Sequence, residues 1–172
     1  MKRSLTLTLL LLSAAPALLA QYKPAKLLNP DPGYIMINEF NAGFGLGTTD
    51  VPNSKYFYGF NTIHGYQVNQ YFLVAAGTGV SFYDKSTMVP AFLDLRYRIY
   101  VSQWTLYVTG EGGFLFDVTD NESMRMFLNP TFGLSYTVSR NLALNLGSGL
   151  FTQFGDWRDS FFNVKLGVTY KF

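Results

Sequence analysis

Three charged residues at alternate positions, Asp94, Arg96 and Arg98, interrupt the otherwise apolar run PAFLDLRYRIY at 90–100. An extended chain sends alternate side chains to the same face, so these three share one side while Ala91, Leu93, Leu95, Tyr97 and Ile99 share the other. Glu111 falls in the next extended run, and Glu39 and Lys165 fall in the first and the last. If those runs are neighbours in one sheet, the six residues form a set of acids and bases within reach of one another. Two chemistries follow: an ion or proton path, or a packed electrostatic plug. The plug needs only mutual neutralisation and is the reading adopted.

Other chemistry-bearing residues lead less far. His64 is the sole histidine, and it lies among Thr62 and Tyr66 with no nucleophile or second metal ligand beside it. There is no cysteine, which excludes disulfides, thiolate metal sites, cysteine nucleophiles and a lipid-modified N-terminal cysteine. Gly43-Phe44-Gly45-Leu46-Gly47 has phosphate-loop glycines but no following helix or lysine, and reads as a glycine-lined strand. Asn121-Glu122-Ser123 matches a glycosylation sequon and reads as an exposed loop. No cofactor is expected.

These residues must be positioned by strands. Of 172 residues, 48% are apolar and 17% aromatic, only 14% are charged, and glycine is abundant, a composition suited to one all-β domain. Period-2 segments run at 34–47, 55–68, 71–83, 89–100, 104–117, 126–138, 142–153 and 160–172. The longer polar connections TTDVPNS, DKSTM, VTDNESMR and GDWRD alternate with short turns at Asn69-Gln70, Val101-Ser102-Gln103 and Ser139-Arg140-Asn141. Short turns on one rim and longer loops on the other imply an up-and-down barrel. The fold class expected is all-β, an eight-stranded antiparallel barrel with both ends of the strand array on one rim.

Each strand has a greasy face and a polar one. In the last, Phe162, Val164, Leu166, Val168, Tyr170 and Phe172 oppose Asn163, Lys165, Gly167, Thr169 and Lys171. The polar face carries many glycines, including Gly43, Gly77, Gly113, Gly133 and Gly147, which suits a narrow interior where bulky charged side chains fill the space the glycines leave. A greasy outside means a membrane barrel, with Tyr56, Tyr58, Phe72, Phe82, Trp104, Phe116, Tyr136, Phe162, Tyr170 and Phe172 as its interfacial girdles. A greasy inside means a soluble lipocalin-like carrier of an apolar ligand, the alternative kept open. In a bilayer the backbone must pair fully, which requires first-to-last closure. Eight strands leave a side-chain-filled interior and no wide pore.

Residues 1–20 have the form of a signal peptide. Lys2 and Arg3 precede an apolar run from Leu5 to Leu12, with cleavage expected after Ala17 or Ala20. Residues 21–33, rich in proline, form an irregular lead-in, and 34–172 the barrel. Lys2 and Arg3 supply the whole excess of basic over acidic residues, 13 against 11, so nucleic-acid binding has no electrostatic basis.

With these features, and with PAFLDLRYRIY at 90–100 and the terminal LGVTYKF at 166–172, the chain resembles the small outer-membrane β-barrel family, OmpX/OmpA-like, of the Bacteroidetes type. The resemblance implies an integral outer-membrane location, contact with outer-membrane lipid and lipopolysaccharide, and recognition of Tyr170 and Phe172 by the barrel assembly machinery. The family is functionally mixed, so it implies location more than activity. Lipid A-modifying barrels resemble one another in a His-x-Ser pair, whereas Gly65 and Tyr66 follow His64 here. The function expected is therefore a non-enzymatic barrel with a structural or surface-interaction role. A lipid A-modifying enzyme ranks behind the soluble carrier. Trp157 and Arg158 mark the candidate contact point for a surface partner in the last long loop.

Overall fold

The structure is a computed structural model that describes residues 28–47, 55–84, 86–119, 124–155 and 158–172. The segment expected to be a signal peptide, the sequon match at 121–123 and Trp157 lie outside the described residues. Eight strands follow in order: β1 Gly33–Gly45, β2 Tyr56–Gln67, β3 Phe72–Tyr83, β4 Thr87–Val101, β5 Trp104–Asp117, β6 Met124–Ser139, β7 Leu142–Phe154 and β8 Arg158–Lys171. Each pairs antiparallel with its neighbours, and β1 pairs with β8 to close the barrel. Closure leaves no strand edge, so backbone donors and acceptors pair around the whole circumference.

Several strands run longer than the sequence pattern predicts, and this shortens the loops. β4 starts at Thr87, because the backbone N–H groups of Val118 and Tyr83 extend the ladder onto the Thr87 and Ser86 carbonyls. β8 starts at Arg158, opposite Phe154, which moves Arg158 out of the loop and into the strand. The connections on the far rim are then 46–55, 84–86, 118–123 and 155–157, against 68–71, 102–103 and 140–141 on the rim that carries both ends of the array. The expected alternation of long and short connections is thus only partial. The link at 68–71 is longer than two of the far-rim loops.

Two prolines sit inside strands of a sheet that has no edge to accommodate them. Pairing between β3 and β4 skips Val89 and Pro90, and pairing between β6 and β7 skips Asn129 and Pro130. A proline has no N–H to give the ladder. At the first gap the Thr78 hydroxyl donates to the Pro90 carbonyl at 2.9 Å, a side-chain bond that joins β3 to β4 where the ladder is interrupted.

The barrel partitions its residues by face. Leu93, Leu95, Val74, Phe132, Leu146, Leu166 and Phe162 stand on the outer wall, and the predicted girdle residues Tyr56, Phe72, Phe82, Trp104, Phe116, Tyr170 and Phe172 stand exposed with them. Inside are Glu39, Asn41, Asn61, Asp94, Arg96, Arg98, Glu111, Asn129, Lys165 and Lys171, all buried. The lumen is not uniformly polar, however. Ile35, Ile37, Ile63, Leu73, Phe57, Phe92, Phe127, Phe151 and Phe161 also point inward.

Those rings correct one expectation. Bulky charged groups do not fill most of the glycine notches: aromatic rings fill those at Gly43, Gly77 and Gly133, and backbone and small side chains of the neighbouring strand close on Gly59, Gly65, Gly79 and Gly149. A methyl carbon placed on Gly43 would lie 2.0 Å from the Phe57 ring, on Gly77 2.4 Å from Phe92, and on Gly133 2.3 Å from Tyr107. Charged residues meet two inward glycines: Glu39 lies 2.8 Å from a methyl carbon placed on Gly167, and the Lys171 stem 3.2 Å from one placed on Gly33. An aromatic ring fills such a notch without an ion's desolvation cost.

Candidate functional site: a layered lumen

The interior is built in layers along the barrel axis. Toward the far rim Phe57, Phe127, Phe151 and Phe161 form an aromatic plug. Phe57 meets Phe161 edge-on at 5.2 Å, and Phe127 stacks on Phe151 at 5.0 Å. Above it Gln153 donates to the Tyr83 hydroxyl at 2.6 Å.

Below the plug lies an ion belt. Asp94 and Glu111 are directly opposite across β4 and β5, a like-charge pairing that is unfavourable unless bridged. Arg96 bridges it. Its Nη2 lies 2.7 Å from both Glu39 Oε1 and Asp94 Oδ2, and 4.0 Å from Glu111 Oε1. Lys165 completes the belt by bonding Glu111 and standing 3.6 Å from Glu39. Neutral groups take up remaining lone pairs: the Thr109 hydroxyl donates to Asp94 at 2.5 Å, and the Asn129 amide to Glu111 at 2.8 Å. The Arg96 guanidinium also lies over the Tyr107 ring, 5.3 Å from its centre. All five belt residues are almost completely buried, so each charge depends on its partners.

The belt therefore unites Glu39, Asp94, Arg96, Glu111 and Lys165, drawn from β1, β4, β5 and β8. The sixth predicted member, Arg98, is set apart. Arg98 is also inside; it donates to Gln67 Oε1 at 3.1 Å and stands beside the Tyr100 hydroxyl, with the Asp94 carboxylate the belt charge that acts on it. Two residues along a strand displace a side chain by nearly 7 Å, enough to place Arg98 in the next layer toward the near rim.

Sequence reasoning missed what closes that rim. Residues 28–31 form a strap across the mouth, with Leu28 inserted into the lumen and only 4% exposed. The Gln67 amide reaches the carbonyls of Asn29, Pro30 and Asp31 at 3.2, 2.9 and 3.2 Å. Lys171 donates to the Asn29 and Asp31 carbonyls, and the Asn29 N–H bonds the Arg140 carbonyl at 2.8 Å. The proline-rich lead-in is thus ordered over this stretch. Buried Gln67 and Lys171, pointing inward at the ends of their strands, are the signal in the sequence that the mouth is filled.

The remaining predicted residues lie on the outer wall. His64 faces outward, with Nδ1 2.5 Å from the Tyr34 hydroxyl and Nε2 3.1 Å from that of Thr62. Phe172 packs against Tyr34 at 5.1 Å and Tyr170 at 4.8 Å, making an aromatic cluster at the β1–β8 seam. Arg158 lies 5.9 Å from the Phe154 ring centre.

Fold and lumen together define the class: a closed eight-stranded barrel with an apolar exterior and a filled, ion-paired interior. No family model matches the chain, and no curated protein matches it in sequence. Solved structures do match. Neisserial surface protein A aligns with 83% of this chain and 99% of its own, at a TM-score of 0.64 and 16% identity. The outer membrane protein OprG from Pseudomonas aeruginosa gives 86% and 99%, TM-score 0.58 and 11% identity. The N-terminal β-barrel domain of Pseudomonas aeruginosa OprF gives 83% and 100%, TM-score 0.57 and 18% identity. At these identities the likeness is one of fold: this chain shares the architecture of small eight-stranded outer-membrane barrels.

Proposed function

We propose that this chain is an integral outer-membrane barrel with a non-enzymatic, structural or surface-interaction role. The observation that carries the reading is the inverted partition of its residues. Leucine, valine and aromatic side chains cover the outside, while the belt's three carboxylates and two cations are sealed within. In water that exterior would be a very large exposed apolar patch; in hydrocarbon it is the solvated surface. Strands of 12 to 16 residues exceed the 9–11 that a tilted strand needs to cross a bilayer.

The packed lumen argues against both a wide pore and the lipocalin-like reading, since the two cavities that flank the ion belt hold only ≈ 10 Å³ each. An apolar ligand of any size has no room there. The outward position of His64, engaged by Tyr34 and Thr62, argues against a histidine-based lipid-modifying centre. In this reading the rim bearing both strand ends faces the periplasm. The seam cluster of Tyr170 and Phe172 is what the barrel assembly machinery reads, lipopolysaccharide surrounds the outer half, and Trp157 with Arg158 marks the rim available to a surface partner.

The test is gel migration of the protein from separated outer membranes, unheated against boiled. The expected result is recovery in the outer-membrane fraction with a heat-dependent shift. Recovery in the soluble periplasm without a shift would overturn the reading.

A further inference from the structure

One stretch of the outer wall breaks its apolar character. Asn38 of β1, Thr62 of β2 and Thr78 of β3 form a continuous row in the sheet register, Asn38 opposite Thr62 and Thr62 opposite Thr78. They alternate with the buried inward residues of their strands, so all three face outward; Asn38 and Thr62 are half-buried and Thr78 is exposed. Each lies near the middle of its strand, the level farthest from both rims. His64, the next outward residue of β2 toward the near rim, widens the patch. The middles of the other five strands present leucine, valine, glycine, proline and phenylalanine outward, with Ser148 of β7 their one polar side chain among the described residues.

The hydroxyls and the imidazole of this patch have partners within the chain. His64 meets the Thr62 hydroxyl at 3.1 Å and the Tyr34 hydroxyl at 2.5 Å, and the Thr78 hydroxyl donates to the Pro90 carbonyl at 2.9 Å. The Asn38 carboxamide has no such partner among the described residues. In hydrocarbon an amide left in that state is costly. Neither water nor lipid headgroups reach the middle of a bilayer, so its partner must be protein that spans the same membrane and offers a hydrogen-bonding group at the same depth. A second copy of this chain in the same orientation meets both conditions by construction. A carboxamide donates and accepts, so a twofold axis along the bilayer normal sets Asn38 against its own counterpart in two reciprocal bonds.

The surroundings of the row suit close approach. Ala42, Ala76 and Ala91 also face outward on β1, β3 and β4, and Ala91 lies opposite Thr78. Lipid gives two apolar walls no preference for one another, so association in a membrane rests on small residues that admit close packing and on hydrogen bonds between the walls. We propose that this chain forms a twofold dimer within the membrane through its β1–β3 wall, with Asn38 paired to Asn38 of the second copy. The inference rests on the outer-membrane reading above.

The chain has no cysteine, so introduced ones report contacts cleanly. Asn38→Cys in native outer membranes should give, on mild oxidation, a cross-linked band of twice the barrel's mass, and Ser148→Cys should not. In lipid vesicles, energy transfer between dye-labelled copies of the full mature barrel, diluted with lipid, reads the dissociation constant. Asn38→Leu should weaken association by about tenfold, for the loss of a reciprocal pair of hydrogen bonds, and Ser148→Leu should leave it unchanged. Heat-dependent gel migration checks that each variant folds; if Asn38→Leu does not, Asn38→Ala carries the test. A heat-shifting wild-type barrel that stays monomeric in vesicles overturns the dimer and leaves the barrel reading standing. Wild type absent from the outer membrane overturns both. A dimer that Asn38→Leu leaves unchanged, or an Asn38→Cys cross-link to a protein of another mass, also overturns the proposal.

Discussion

Lys171 and Asn29 are 142 residues apart in the chain, yet the Lys171 ammonium donates to the Asn29 carbonyl at 2.9 Å. The bond joins the end of the last strand to the segment before the first, so it spans the seam where β1 and β8 close the barrel. Gln67 grips the same carbonyl from β2, and Arg140 accepts the Asn29 N–H from the β6–β7 turn. Because these anchors come from different parts of the rim, the strap can dock only once the barrel has closed.

Lys171→Met keeps the length of the side chain but removes its donors. It should lower unfolding stability in micelles by about 1.5–3 kcal/mol, the range for hydrogen bonds from a charged group. Limited proteolysis should also cut the strap sooner. Wild-type stability together with a wild-type cleavage rate would mean that the strap lies on the mouth without fastening it.

Arg96 holds the belt together. Arg96→Met leaves Glu39 and Asp94 buried without their shared cation, and removing one member of a buried pair typically costs about 3–5 kcal/mol. Adding Glu39→Gln to that variant should recover part of the loss, because one uncompensated charge disappears. A double-mutant cycle of urea unfolding reads the coupling. Simple additivity of the two substitutions would argue against their direct interaction.

Two glycines on β5 should respond in opposite ways to one added methyl group. At Gly110, on the outer wall, nothing lies within 4 Å of the new carbon. At Gly113 the carbon would sit 2.1 Å from the Ala91 carbonyl oxygen and 2.6 Å from the Phe92 Cα, both backbone atoms. Gly113→Ala should therefore cost roughly 1–3 kcal/mol in overpacking. Gly110→Ala should fold as wild type, or gain slightly from reduced unfolded-state entropy. Equal unfolding midpoints for the two variants would show that the β4–β5 pair yields more easily than its geometry indicates.

The features that follow strand periodicity were legible in the sequence. β4 and β8 alternate so cleanly that their inner and outer faces, and hence Asp94, Arg96 and Lys165, follow from spacing alone. β2 is different. In YFYGFNTIHGYQ, aromatic or aliphatic residues occupy both faces, so the inward position of Phe57 and Ile63 depends on their partners across the barrel. The division between Arg96 and Arg98 was hidden for a related reason. Both occupy the polar face, and only the placement of Glu39 opposite Arg96 determines which one joins the belt. The strap was hidden because a lone leucine in a proline-rich stretch carries no periodic signal.

The β4–β5 turn offers a prediction independent of the lumen. Ser102 and Gln103 form a two-residue connection, and Ser102 has φ 64°, the one positive value at a non-glycine position among the described residues. Positive φ at the first central position and not the second is the pattern of a type II′ hairpin turn, where glycine is preferred first. A side chain there costs about 1–2 kcal/mol in the left-handed region, partly offset by glycine's greater freedom in the unfolded chain. The Ser102 hydroxyl offers no compensation, since it has no hydrogen-bond partner. Ser102→Gly should therefore raise stability by roughly 0.5–1 kcal/mol. Gln103→Gly should not, because that position gains no conformational relief and loses chain stiffness. Urea midpoints measured side by side decide it: a gain at Gln103 matching or exceeding that at Ser102 would mean that the turn is not of this type.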